Sequence, residues 1–87
     1  MQKGQTLAVL ILPELIDQQA NLRMAQANLD LARKDYQREQ QLWSQGISAK
    51  QDYQRAENAY RQAQITVQSS QARLNALVQV AITMGVF

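Results

Sequence analysis

Over the first half of the chain apolar residues recur every seven positions, at Leu15, Leu22, Leu29, Tyr36 and Trp43, with Ala25 and Ala32 between them. The rhythm returns in the second half at Tyr53, Ala56, Tyr60, Ala63, Val67, Ser70, Leu74, Leu77 and Ala81. Alternating steps of three and four mark a coiled-coil seam, because an α-helix brings such positions to one face. The two seams also mirror each other. Trp43 and Tyr53, Tyr36 and Tyr60, Leu29 and Val67, Leu22 and Leu74, and Leu15 and Ala81 carry residue numbers that add to 96 in every pair. A chain that doubles back near residue 48 sets the members of each pair at one height. The expected fold is all-α, a long antiparallel two-helix coiled-coil hairpin, preceded by a short N-terminal strand remnant.

Local signals place the boundaries. Lys3-Gly4-Gln5 is a turn signal, and Thr6 to Ile11 is rich in strand formers, so residues 1–12 read as a turn and a strand whose partner lies elsewhere. Pro13 suits the first turn of a helix, and Glu14 and Asp17 complement the dipole there. The first helix is expected from Pro13 to Ser44, with Gly46 as its stop. Ser48 followed three residues later by Gln51 fits a capping box that opens the second helix, expected from Ala49 to Val80. The hairpin therefore covers residues 13–80 with its turn at 44–48, and residues 81–87 form a tail of frayed helix or returning strand. A helix of about thirty residues makes a rod of roughly 45 Å.

Within the seam, thick layers (Leu22 with Leu74, Leu29 with Val67, Tyr36 with Tyr60) alternate with thin ones (Ala25 with Ser70, Ala32 with Ala63), which lets two helices interdigitate closely. Aromatic residues collect at the turn end. A second stripe, formed by Ile16, Ala20, Met24, Ala27 and Leu31 on the first helix and Ile65, Ala72 and Ala76 on the second, lies about half a turn from the seam. A helix apolar on two faces has two partners. Ile16, Met24, Leu31, Ile65 and Ala72 are accordingly expected to pack against neighbouring hairpins, the alternative being alanines chosen for helix propensity alone.

Composition removes several functions. The chain has neither cysteine nor histidine, so disulfides, zinc sites built on those ligands and histidine acid–base chemistry are excluded. Its net charge is only +2, with acids and bases interleaved, for example Asp30 with Lys34 and Glu57 with Arg61 in the favourable i,i+4 order. That pattern describes a solvated helix face rather than a nucleic-acid stripe. Val78 to Phe87 falls far short of the ~20 apolar residues needed to cross a bilayer, so no direct membrane insertion is expected. No export signal is read, and a two-helix hairpin has no enclosed core to offset an ordering cost of roughly 1.5 kcal/mol per residue. The chain is thus expected to be a piece of a longer protein, or to self-associate.

The run Lys3-Gly4-Gln5-Thr6-Leu7-Ala8-Val9-Leu10 resembles the strand that closes half of a lipoyl-like domain in periplasmic adaptors, the HlyD-like or membrane fusion family. Pro13-Glu14-Leu15 resembles the opening of the hairpin in adaptors of RND-type efflux pumps. Asp35-Tyr36-Gln37-Arg38 through Leu42, then Gly46-Ile47-Ser48 and Gln51-Asp52-Tyr53, are similar to that family's hairpin tip. The resemblance implies a periplasmic, inner-membrane-associated protein whose hairpins pack side by side and whose tips dock on a TolC-like outer-membrane channel, linking it to an inner-membrane transporter of the RND type. It implies tip contacts at Arg38, Leu42 and Ser48, with five residues between Leu42 and Ser48, one fewer than the family's tip. The lipoyl-like domain is structural there, so no cofactor is implied and Lys3 is not a lipoyl site.

Two further readings stand beside this one. A generic coiled-coil oligomerisation module without a transport role would use the second stripe to build a four-helix bundle. An enzyme is disfavoured, because a rod gives no concave site in which Ser, Lys, Asp and Glu side chains could converge.

Overall fold

The computed structural model describes residues 3–85, and two helices account for almost all of them: α1 from Lys3–Ser44 and α2 from Lys50–Thr83. They pack antiparallel into a rod measuring 68 × 15 × 15 Å. Both helices follow from long runs of Ala, Gln, Leu, Arg and Glu with no interior glycine between Gln5 and Gln45 or between Ile47 and Met84.

The seam lies where the heptads put it. Leu15, Ala25, Ala63 and Ala81 are buried, and Leu22, Leu29, Ala32, Tyr36, Tyr53, Ala56, Tyr60, Val67, Ser70, Leu74 and Leu77 are half-buried. The most enclosed side chains are the small ones, Ala63 at 2% exposure and Ala81 at 0%. Two helices can wrap an alanine completely, whereas a leucine or tyrosine between them keeps its flank in water. Stability therefore comes from close helix approach at the thin layers as much as from apolar area at the thick ones. Trp43 departs from the expected pattern. It remains 43% exposed, and its neighbour Leu42 takes the half-buried position at the end of the seam. Tyr53 of α2 covers one face of the indole, and the other stays in water because α1 ends at Ser44.

The N-terminal strand is not what forms. Lys3 to Leu12 continue α1, and Pro13 sits inside that helix rather than at its first turn. A lone strand would leave its N–H and C=O groups unpaired, whereas a helix satisfies them within the segment. The cost falls at Pro13, which has no N–H to donate to the carbonyl of Val9. Met1 and Gln2 lie outside the described residues. At the other end α2 runs three residues beyond Val80. Met84 donates its N–H to the Val80 carbonyl and Gly85, at φ 76°, donates to the Ile82 carbonyl. Residues 81–85 are thus helix and turn rather than strand, and Val86 and Phe87 lie outside the described residues.

Surface charges pair as helix neighbours. Arg61 reaches Glu57 at 2.6 Å, as the i,i+4 spacing predicts. Asp30 pairs instead with Arg33 at 3.4 Å, not with Lys34. The guanidinium forks back one turn to a carboxylate that the lysine amine would have to meet end-on. These exposed pairs contribute at most about 1 kcal/mol each.

Candidate interaction tip and side face

The tip is assembled from the end of α1, five linking residues and the start of α2. Gly46 adopts φ 74°, a left-handed conformation that glycine enters without steric cost. This lets the Gly46 N–H reach the Trp43 carbonyl at 3.0 Å and the Ile47 N–H reach the Leu42 carbonyl at 2.8 Å. The pair of bonds is a Schellman motif, which caps orphan carbonyls of α1. The Ser48 N–H also donates to the Leu42 carbonyl, at 3.2 Å. Gly46 is therefore the helix stop read from the sequence.

The expected capping box does not form. Ala49 occupies the N-cap position of α2 and supplies no side-chain bond to the helix. The Ser48 hydroxyl instead donates to a Glu39 carboxylate oxygen at 2.5 Å, across the hairpin, with a long secondary contact to the Ala49 carbonyl at 3.4 Å. A carboxylate on the opposite helix is a stronger acceptor than the alternatives within the turn, so it takes the hydroxyl proton. Asp52 complements the start of α2, where four N–H groups lack helical partners.

Behind the turn the aromatic side chains stack across the seam. Trp43 and Tyr53 lie with ring centroids 5.8 Å apart and nearly parallel, Tyr36 and Tyr60 are 5.4 Å apart, and Tyr36 and Tyr53 are 5.7 Å apart. The hydroxyls of Tyr36 and Tyr53 meet at 3.3 Å. That hydrogen bond, followed by partial burial and the nearby Tyr53 and Glu57 charges, pushes the Tyr36 phenol above its ordinary range, while Arg61 pulls weakly the other way.

The three tip residues named by the sequence sit in different environments. Arg38 is exposed and pairs with Asp35 at 3.1 Å. Leu42 is half-buried, with its carbonyl accepting two turn N–H groups. Ser48 is half-buried and bound to Glu39. Two residues of this region escaped the sequence reading. Ile47 stands 69% exposed at the turn. Glu39 falls three positions after Tyr36 and seven after Ala32, in seam register, and a carboxylate there requires a partner; that register was the available signal.

Along the rod, Ile16, Met24, Leu31 and Ile65 are 60–70% exposed, and Ala72 is exposed with them. Leu31 also lines a shallow groove of about 390 Å³ whose other walls include Ala32, Asp35, Arg38, Asp52 and Ala56. One groove therefore joins the apolar side face to the charged region below the tip. Among the described residues no three acidic side chains converge as a metal site, and no helix is long and apolar enough to cross a membrane.

A slender two-helix rod with an apolar flank and a pinned polar tip defines an interaction arm. Residues 17–76 match the sequence model of the CzcB-like, alpha-helical hairpin domain, and the chain belongs to that family. It is 52% identical over 50 residues to the cobalt-zinc-cadmium resistance protein CzcB of Cupriavidus metallidurans, a match covering 58% of this chain and 10% of that protein. It is 53% identical over 49 residues to the cation efflux system protein CzcB of an Alcaligenes species, covering 56% of this chain and 9% of the relative. The matched segment is thus about a tenth of the length of these relatives. No solved structure matches the chain.

Proposed function

We propose that this chain is the hairpin arm of a periplasmic adaptor in a cation efflux system, joining an inner-membrane RND-type transporter to a TolC-like outer-membrane channel. The observation that carries the proposal is the family match over residues 17–76, which coincides with the antiparallel rod. The name of the Cupriavidus relative suggests cobalt, zinc and cadmium as the exported cargo, and that of the Alcaligenes relative suggests a cation. On this reading residues 13–80 form the arm with its turn at 44–48. Residues 1–12 and 81–87 are its roots.

The work of such an arm is mechanical. Ile16, Met24, Leu31, Ile65 and Ala72 bury apolar area against neighbouring hairpins and close the wall of a conduit. Arg38, Leu42 and Ser48 dock the tip on the channel, where charged and polar groups set register and partner choice. The shallowness of the groove along the rod supports a non-catalytic reading.

The test is metal resistance in a strain lacking its own adaptor, supplied with the full-length protein. Arg38→Asp or Leu42→Asp is expected to abolish growth on cobalt, zinc or cadmium while leaving oligomer size unchanged. Full resistance in both variants removes the docking role. The exposed side face favours a second reading, a plain oligomerisation module. It gains if Met24→Asp and Leu31→Asp abolish self-association and no tip substitution affects export.

A further inference from the structure

We propose that Glu39 is a positioning residue for the tip, holding the turn in its docking geometry through the Ser48 hydroxyl; the docking part of this rests on the function proposed above. Three observations converge on it. Glu39 lies on α1 in seam register and is half-buried, a costly place for a carboxylate without a donor. Its Oε2 accepts the Ser48 hydroxyl at 2.5 Å. In consequence α2 begins at Lys50 behind an Ala49 N-cap that supplies no side-chain bond, although the best capping residue of the segment stands next to it. The hydroxyl has been diverted from its local task to tie the turn to the opposite helix.

The tie acts on one short piece of backbone. Leu42, Gly46, Ile47 and Ser48 are already linked by the bonds that close α1, with the Ile47 and Ser48 N–H groups sharing the Leu42 carbonyl. Those bonds hold the turn to the last turn of α1 through backbone groups alone. The Glu39 bond adds a side-chain fixed point on α1, three residues before Leu42. It thereby turns the Ser48 oxygen toward α1 and sets the direction in which the exposed Ile47 faces outward. Arg38, the neighbour of Glu39, is held only by an exposed pair with Asp35, so the tip combines one pinned residue and one adjustable one. A turn fixed before contact loses less freedom on binding.

The experiment uses the 87-residue chain and its Glu39→Ala, Ser48→Ala, double and Glu39→Gln variants. Amide hydrogen exchange by NMR reads the turn, and capture by a purified TolC-like channel reads docking. Glu39→Ala and Ser48→Ala are each expected to speed exchange at the Ile47 and Ser48 amides about tenfold, as loss of a bond to a charged group should. The double variant is expected to add nothing further. Glu39→Gln recovers part of the protection, since its amide oxygen still accepts a hydrogen bond. Capture should fall in Glu39→Ala, and at least as far in Ser48→Ala and the double variant, because Ser48 is itself assigned to the docking tip. Multiplying effects on exchange in the double variant, unchanged exchange in Glu39→Ala, or wild-type capture by Glu39→Ala would each overturn the proposal. If exchange is coupled but the wild-type chain is never captured, the docking reading fails while the tie between Glu39 and Ser48 stands.

Discussion

The hydroxyls of Tyr36 on α1 and Tyr53 on α2 lie 3.3 Å apart, and their rings sit at 5.7 Å in a tilted arrangement. Tyr53 also stacks on Trp43, and Tyr36 meets Tyr60 in a tilted pair. The hairpin is thus clamped just behind its turn by a ladder of aromatic rings with one polar rung.

That rung predicts an alkaline limit. The Tyr36 phenol is raised above its ordinary value of about 10, chiefly by the bond to Tyr53. A group whose folded value is raised stabilises the fold fully below its unfolded value and loses that contribution as pH climbs through the folded one. Thermal melts followed by circular dichroism should therefore be flat from neutral pH to about 9 and fall above about 10. In an ultraviolet titration of phenolate, Tyr53→Phe should bring the late-ionising tyrosine down. An unchanged titration would remove the assignment of the shift to that hydrogen bond.

The thin layers predict intolerance of bulk. Ala63 is 2% exposed, so Ala63→Leu has no room and should cost about 1–3 kcal/mol in urea unfolding. Leu29→Asp places a charge in the half-buried layer shared with Val67 and should cost about 3 kcal/mol, lowering helicity over the whole rod. A full circular-dichroism signal in Leu29→Asp would speak against the pairing of the two seams.

Gly46 predicts a purely conformational penalty. A Cβ at this position meets nothing within 4 Å, yet φ is 74°. Gly46→Ala should therefore destabilise by about 1–2 kcal/mol through backbone strain alone, and Gly46→Asn by less. Equal losses in both would point to a contact rather than to the dihedral angle.

Pro13 predicts a gain. Pro13→Ala restores an N–H for the Val9 carbonyl inside α1 and removes a helix penalty of about 3 kcal/mol. Hydrogen exchange should slow across Lys3 to Leu12 while the turn is unaffected. Unchanged exchange in that segment would mean that its helix is not limited by the proline.

The candidate site was only partly legible from residue order. Arg38, Leu42 and Ser48 were singled out by likeness to a known tip, and their surroundings were not. The capping-box pattern at Ser48 and Gln51 was a sound local inference that lost to a carboxylate on the other helix. Trp43 meets Tyr53 across the seam as its heptad position implies, yet it stays 43% exposed and Leu42 is the more covered of the two. Asp30 was matched to Lys34 by spacing, whereas Arg33 reached it first.

Sequence alone determined the two helices, their antiparallel pairing, the end of α1 at Ser44 and the stop at Gly46. Each of these rests on physics acting within a few residues: helical periodicity, side-chain volume at matched heights, and the freedom of glycine at positive φ. Tertiary structure alone decided the partner of Ser48, the exposure of Trp43 and the helical course of Lys3 to Leu12. Those outcomes depend on which donors and acceptors two distant stretches bring together. Strand formers with no strand beside them satisfy their backbone as helix, and a serine beside a carboxylate gives its proton across the hairpin.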